Sequence, residues 1–380
     1  MKVVQSHFNF QNGWRQLKSD HEQGISDLVL VFASRELAKN AGFLEELKKK
    51  FPSAIYCGCS TSGEICDTQV CDQSASVIAV KFEKTTLLQK TMNIEDASHS
   101  FDAGLKLISS FPHENLRHVF VLSDGLHVNG SELVRGLRQS VPAGVSITGG
   151  LAGDGSDFKE TYVIDADGTS KQNIVNAIAF YGEHLKVGYG SFGGWDSFGI
   201  ERLVTKSEGN VLYELDHQPA LELYKSFLGA EAANLPASGL LFPLSLRYNA
   251  DQMPVVRTIL AVDENRQSLT FAGDIPQGAY VRLMKANMDR LIDGAVKAAN
   301  TTLEPFNKLK CEWAILISCV GRKLVLKQMV EEEVEGVRSV LGKEAALTGF
   351  YSYGEISPFS MDATCELHNQ TMTITAFAES

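Results

Sequence analysis

The residues of this chain that could do chemistry fall into three groups. Four cysteines, Cys57, Cys59, Cys66 and Cys71, lie within fifteen residues, the residue type and density of a zinc or iron–sulfur ligand set. Two glutamates, Glu64 and Glu355, occupy matched places in Gly58-Cys59-Ser60-Thr61-Ser62-Gly63-Glu64-Ile65 and Gly349-Phe350-Tyr351-Ser352-Tyr353-Gly354-Glu355-Ile356. They read either as a pair of acids facing a shared pocket or as carboxylates capping backbone N–H groups in two tight turns. A polar run, His368-Asn369-Gln370-Thr371, opens directly onto the apolar segment Met372 to Phe377. Such a run is costly to bury without partners, so it lines a cavity or satisfies backbone groups at a strand entry.

The duplication argues against the metal cluster. At the places of Cys57 and Cys59 the second copy carries Thr348 and Phe350, so the turn forms without thiols, and Cys57-x-Cys59 also suits a buried strand end. A hydrolase with Cys59 or Ser60 as nucleophile and His368 as base lacks an orienting acid at a recognisable spacing. Gly188-Tyr189-Gly190-Ser191-Phe192-Gly193 matches GxGxxG by letter, but no helix opens after it to receive a phosphate. The expectation is a protein that is not an enzyme.

The elements around these residues are repeated too. Asp27 to Phe32 reads as a strand followed by Arg35, and Ala314 to Cys319 as a strand followed by Arg322. Offsets of 291 at the glycine and 287 at the arginine leave only a four-residue insertion between the copies, a strand, helix, glycine-turn, strand unit used twice. A weaker third copy lies between them, with His118 to Leu122 as strand, Ser131 to Gln139 as helix, and Thr148-Gly149-Gly150-Leu151-Ala152-Gly153-Asp154 as turn. Phe43, Leu44, Leu47 and Phe51 share one helix face, as do Val330, Val334, Val337 and Leu341. Asp216 is positioned to cap a helix running to Leu228. The fold class is α/β: mixed sheets with flanking helices in two pseudo-repeated halves, divided as a lead-in of residues 1–26, a domain of 27–205 and a domain of 206–380. A site is expected where the two Gly-Glu-Ile turns meet.

With 380 residues, 44% hydrophobic and 21% charged, two domains with substantial cores are expected. A net charge of -11 excludes nucleic acid and anionic membrane as partners. No apolar run reaches a membrane span and the amino terminus has no signal-peptide core. A cytoplasmic location follows, and an odd count of seven cysteines suits a reducing compartment.

The turn Thr148 to Asp154, Leu212-Tyr213-Glu214-Leu215-Asp216 with Pro219-Ala220, Tyr353-Gly354-Glu355-Ile356 and Leu367-His368-Asn369-Gln370-Thr371 together resemble the FIST proteins, with their amino- and carboxy-terminal FIST domains, over nearly the whole chain from residue 27. His217 departs from the glycine usual after that aspartate. The resemblance implies a small-ligand sensory module in signal transduction. Free-standing members of this length resemble the NosP group, which implies haem b as cofactor, nitric oxide as signal and a sensor histidine kinase as partner; a homodimer is left open. On that reading His368 is the axial metal ligand, ahead of His127 and His184. Asn369 and Glu355 then line the pocket, Trp195, Tyr351 and Tyr353 wall it, and Arg322, with Arg35, holds the propionates or pairs with the turn glutamates. The alternative is a haem-free FIST sensor of a small polar metabolite such as an amino acid, held between Glu355, His368, Asn369 and the glycine turns.

Overall fold

A computed structural model describes residues 1–21, 24–248, 253–307, 309–360 and 363–380. Three sheets share one strand order. In the first, Ile55–Ser60, Leu28–Ala33, Ser74–Lys81 and Lys2–Asn9 lie side by side. Ser146–Leu151, Leu116–Ser123, Ile174–Tyr181 and Thr86–Asn93 make the second, and Ala346–Ser352, Trp313–Cys319, Met372–Glu379 and Leu185–Phe192 the third. In each, the first two strands are parallel and the rest antiparallel. The mixed α/β class with internal duplication is therefore what the chain has, and the middle copy is a full third unit.

The sheets exchange strands in a ring. Glu64–Cys66, just past the first signature turn, pairs with Ala346–Ser352 of the third sheet. Gly354–Pro358, past the last turn, pairs with Ser146–Leu151 of the second, and Val163–Ile164 carries the second unit back to Ile55–Ser60 of the first. Side chains alternate along each central strand. Leu30 and Phe32, Phe120 and Leu122, and Ile315 and Ile317 meet in one shared core, where Phe32 stacks on Phe350 with centroids 4.8 Å apart. The other faces bury Val29 and Val31 under Phe43, Leu44 and Leu47, Val119 and Val121 under Leu133 and Leu137, and Leu316 under Val334, Val337 and Leu341. Strands buried on both faces read as continuous apolar runs.

The first glycine of the signature is explained by this packing rather than by a turn. Gly58, Gly149 and Gly349 sit opposite Val31, Val121 and Leu316 on the parallel neighbour, and a Cβ there would lie 2.1, 1.8 and 1.8 Å from those residues' carbonyl oxygens. Gly188 and Gly190 of the GxGxxG run serve a similar end, since a Cβ on either would strike the Thr302 or Ala298 carbonyl of the helix Met288–Leu303.

Between Leu185–Phe192 and that helix the chain inserts a separate seven-strand path built from residues 196–285, with the helix Ala220–Leu228 and its own core around Tyr224, Leu269 and Phe271. The lead-in is a strand of the first sheet, Lys2–Asn9, hairpinned to the edge strand Gly13–Ser19. One expectation changes here. Asp216 does not cap the helix: it sits at φ +50 in a turn, accepting from the Leu203 N–H and Arg202, while Pro219 takes the cap position. Among the described residues no helix is long and apolar enough to cross a membrane.

Gly349→Ala is expected to cost about 3 kcal/mol or more by forcing parallel strands apart; a urea-denaturation midpoint equal to that of the unmodified protein would contradict the close-approach explanation.

Candidate functional site

A cleft of about 560 Å³ lies between the inserted sheet and the body, within the size range of ligand pockets. The body contributes residues at the carboxyl ends of its parallel strands, the usual ligand edge of such sheets: Gly125, Leu126, Val128 and Gly130, Leu151 with Phe158, Cys319 to Gly321 with Leu324, and Tyr353. The insert contributes Asn210, Leu235 to Leu240, Thr258 to Leu260 and Phe271. The walls are mainly apolar, and no acid, lysine, arginine or histidine is among the described wall residues. Thr258 offers a buried hydroxyl with no protein partner.

Of the residues singled out in the sequence, Tyr353 reaches this cleft. Its hydroxyl donates to Asp154, a short hydrogen bond, and its ring stacks on Phe158 at 4.5 Å and 12°. The two signature turns do meet, through Ser62 N–H to the Tyr351 carbonyl and Tyr351 N–H to Gly63, each 2.8 Å, yet the first turn gives the cleft no wall. Tyr351 points into the third sheet's outer core, its hydroxyl on Glu333.

Glu64 and Glu355 each close their own turn. Glu64 accepts from Thr61 and from the N–H and hydroxyl of Ser74; Glu355 accepts from Ser352 at 2.7 Å and from the N–H and hydroxyl of Thr371. Burial pushes these carboxyls up to about 7 and about 8, against the hydrogen bonds that favour the charged form.

Arg322 pairs with neither glutamate. Fully buried, its guanidinium grips Glu333 through Nε and Nη2, and donates through Nη1 to the Gly193 carbonyl at 2.5 Å and through Nη2 to the Leu291 carbonyl at 2.7 Å. Gly193 and Leu291 flank the points where the chain leaves for the insert and returns from it. Trp195 pins the outgoing stalk, donating from Nε1 to the Gln370 carbonyl at 2.9 Å. Arg35, which the sequence reading matched to Arg322, binds Asp154 and Asp157 near the surface.

His368 is fully buried. Its Nε2 lies 2.7 Å from the Ser357 carbonyl, Phe359 packs edge-on at 4.3 Å, and Nδ1 has no partner; burial lowers its pKa to about 4, so it is neutral. It is not a wall residue. Asn369 and Gln370 are also fully buried with unpartnered amides, the Gln370 amide lying against Gly321 at the back of the cleft wall. His127 stands between the wall residues Leu126 and Val128, half-exposed, with Nδ1 3.2 Å from buried Asp124. Cys57 and Cys59 fill the shared core with thiols raised by burial, and the Ser60 hydroxyl accepts from the Tyr162 N–H.

Sequence reasoning missed Phe158 and every wall residue of the insert. Phe158 carries no periodic or motif signal; only its backbone at φ +52 and its stacking mark it.

Comparison with known families places this architecture. Residues 27–218 match the FIST N domain and residues 220–358 the FIST C domain. The chain belongs to the FIST family. FIST domains are sensory domains of signal transduction. The division between the two matches falls inside the inserted sheet, and the third sheet draws strands from both. This FIST protein is also similar to the uncharacterized protein MJ1623 of Methanocaldococcus jannaschii, 26% identical over 208 residues. That alignment covers 51% of this chain and 39% of the relative, so the chain spans well under half of the relative's length.

Because Glu355 keeps its proton to higher pH in the folded chain than in the unfolded one, it lowers stability as pH rises from about 4.5 toward about 8. Urea midpoints at pH 5 and pH 8 should show Glu355→Gln gaining on the unmodified protein as the pH rises; a constant difference would contradict this reading.

Proposed function

We propose that this FIST protein is a sensor that holds haem b in the cleft and reports nitric oxide to a sensor histidine kinase. The observation that carries the reading is the character of the walls: mainly apolar, without charge, and about 560 Å³ in volume. A large flat apolar body gains by burial there. A zwitterionic amino acid would lose water from both charged ends without a charged partner, which weighs against the polar-metabolite alternative.

When bound, ferrous haem would supply an iron on which a diatomic gas binds. Among the described histidines, His127 is the one flanked by wall residues, Leu126 and Val128, although its own ring is not part of the wall; it is our candidate to hold the iron. Asp124 is fixed by the N–H groups of Leu126, His127 and Asn173, and its contact with Nδ1 of His127 leaves Nε2 as the free donor nitrogen, the arrangement that orients metal-binding imidazoles. His368, set behind the wall and engaged by Ser357, is the poorer candidate.

The relay uses the short helix Val320–Leu326. Val320, Gly321 and Leu324 face the cleft, while Arg322 holds both stalks of the insert. A shift of this wall would therefore move the insert relative to the body, giving two states for a kinase to distinguish.

Haemin titration followed by dithionite and nitric oxide is the test. A saturable one-to-one Soret band that shifts with the gas, and is altered in His127→Ala but kept in His368→Ala, is expected. Weak, non-saturating absorbance would remove haem from the account.

A further inference from the structure

We infer that Phe158 and Tyr353 form an aromatic platform that makes the cleft selective for planar, extended π-systems over aliphatic molecules of equal bulk. This deepens the proposed function and rests on its reading that the ligand lies in the cleft. The two rings are parallel, 4.5 Å apart and tilted by 12°. Tyr353 is buried while Phe158 is 47% exposed, and both line the cleft. One face of Phe158 is thus covered by Tyr353 and the ring still presents surface to the cleft.

The platform is held in advance of any ligand. Phe158 lies at φ +52, a left-handed backbone that a bulky side chain adopts only when its surroundings impose it. Asp154 imposes it. Its carboxylate accepts from the N–H groups of Phe158, Lys159 and Glu160 at 2.9, 2.9 and 3.0 Å, from Arg35 at 3.1 Å, and from the Tyr353 hydroxyl. One buried carboxylate therefore fixes both the loop that carries the first ring and the tip of the second. Phe158 packs one face on Tyr353 and leaves the rest of its ring exposed on a loop held by Asp154, and a stacking face for a flat ligand needs this rigidity.

Metal-free protoporphyrin IX, followed by its fluorescence, tests the inference separately from haem ligation. Phe158→Leu keeps a bulky apolar side chain in the same backbone but removes the π-face, and should weaken binding roughly tenfold, the scale of an aromatic stacking contact; Phe158→Tyr should restore it. Leu324→Trp, which adds bulk to another lining position, should obstruct binding. Phe158→Leu affinity equal to that of the unmodified protein, or no saturable binding of protoporphyrin IX at all, would overturn the platform. Unchanged binding in Leu324→Trp would overturn the cleft as the site, and the platform with it. Phe158-dependent protoporphyrin binding without a ligated haemin spectrum would uphold the platform while removing the haem reading.

Discussion

The arrangement of the molecule hangs on one buried ion pair, Arg322 with Glu333. Both side chains are fully excluded from water, and taking two charges out of water is repaid only by close geometry and by hydrogen bonds to the remaining donors. Those donors go to Gly193 and Leu291, and Glu333 is completed by Ser318 and Tyr351. Removing either partner would strand an uncompensated charge at the junction of three elements: the cleft-lining helix, the outer helix Val330–Leu341 and the stalks of the insert. The pair therefore ties the cleft-lining helix to both stalks of the insert.

That body gains its rigidity from reciprocity. Each unit sends the strand or hairpin beyond its turn into a neighbouring sheet, so no unit completes its own edge. Glu64 and Glu355 sit at two of these crossings, and each ties its turn to the start of the strand that returns to its own sheet, at Ser74 or Thr371. Buried carboxylates that keep protons to neutral pH are often found at catalytic sites, yet here both are enclosed by hydroxyl and N–H groups of their turns. Their hydrogen bonds are spent within their own turns, and the cleft lies elsewhere, beside the insert.

Much of this was legible in the chain and some was not, for physical reasons. Leu28–Ala33 and Trp313–Cys319 are buried on both faces, so their unbroken apolar character announced them, and the repeat made the helices between strands predictable. Which sheet a short strand joins is a non-local pairing: nothing within Glu64-Ile65-Cys66 says that it pairs with residues nearly three hundred positions away. The duplication set Arg322 beside Arg35, but by strand register Arg35 stands level with Val320, since Val31 and Leu316 face the matched glycines Gly58 and Gly349, and the burial that gives Arg322 its Glu333 arises in the third unit, where the insert's stalks cover it. Tyr353 was found because it sits in a repeated turn. Phe158 was invisible, since its importance comes from a backbone angle and from one carboxylate that organises its loop.

The central claim is that the cleft and the insert are mechanically joined through Arg322, and hydrogen exchange measured by mass spectrometry with and without haemin tests it most directly. The account predicts that the cleft segments 125–130 and 319–326 and the stalk segments 193–196 and 286–291 change protection together. Protection gained along the cleft while the stalks exchange at unchanged rates would contradict it.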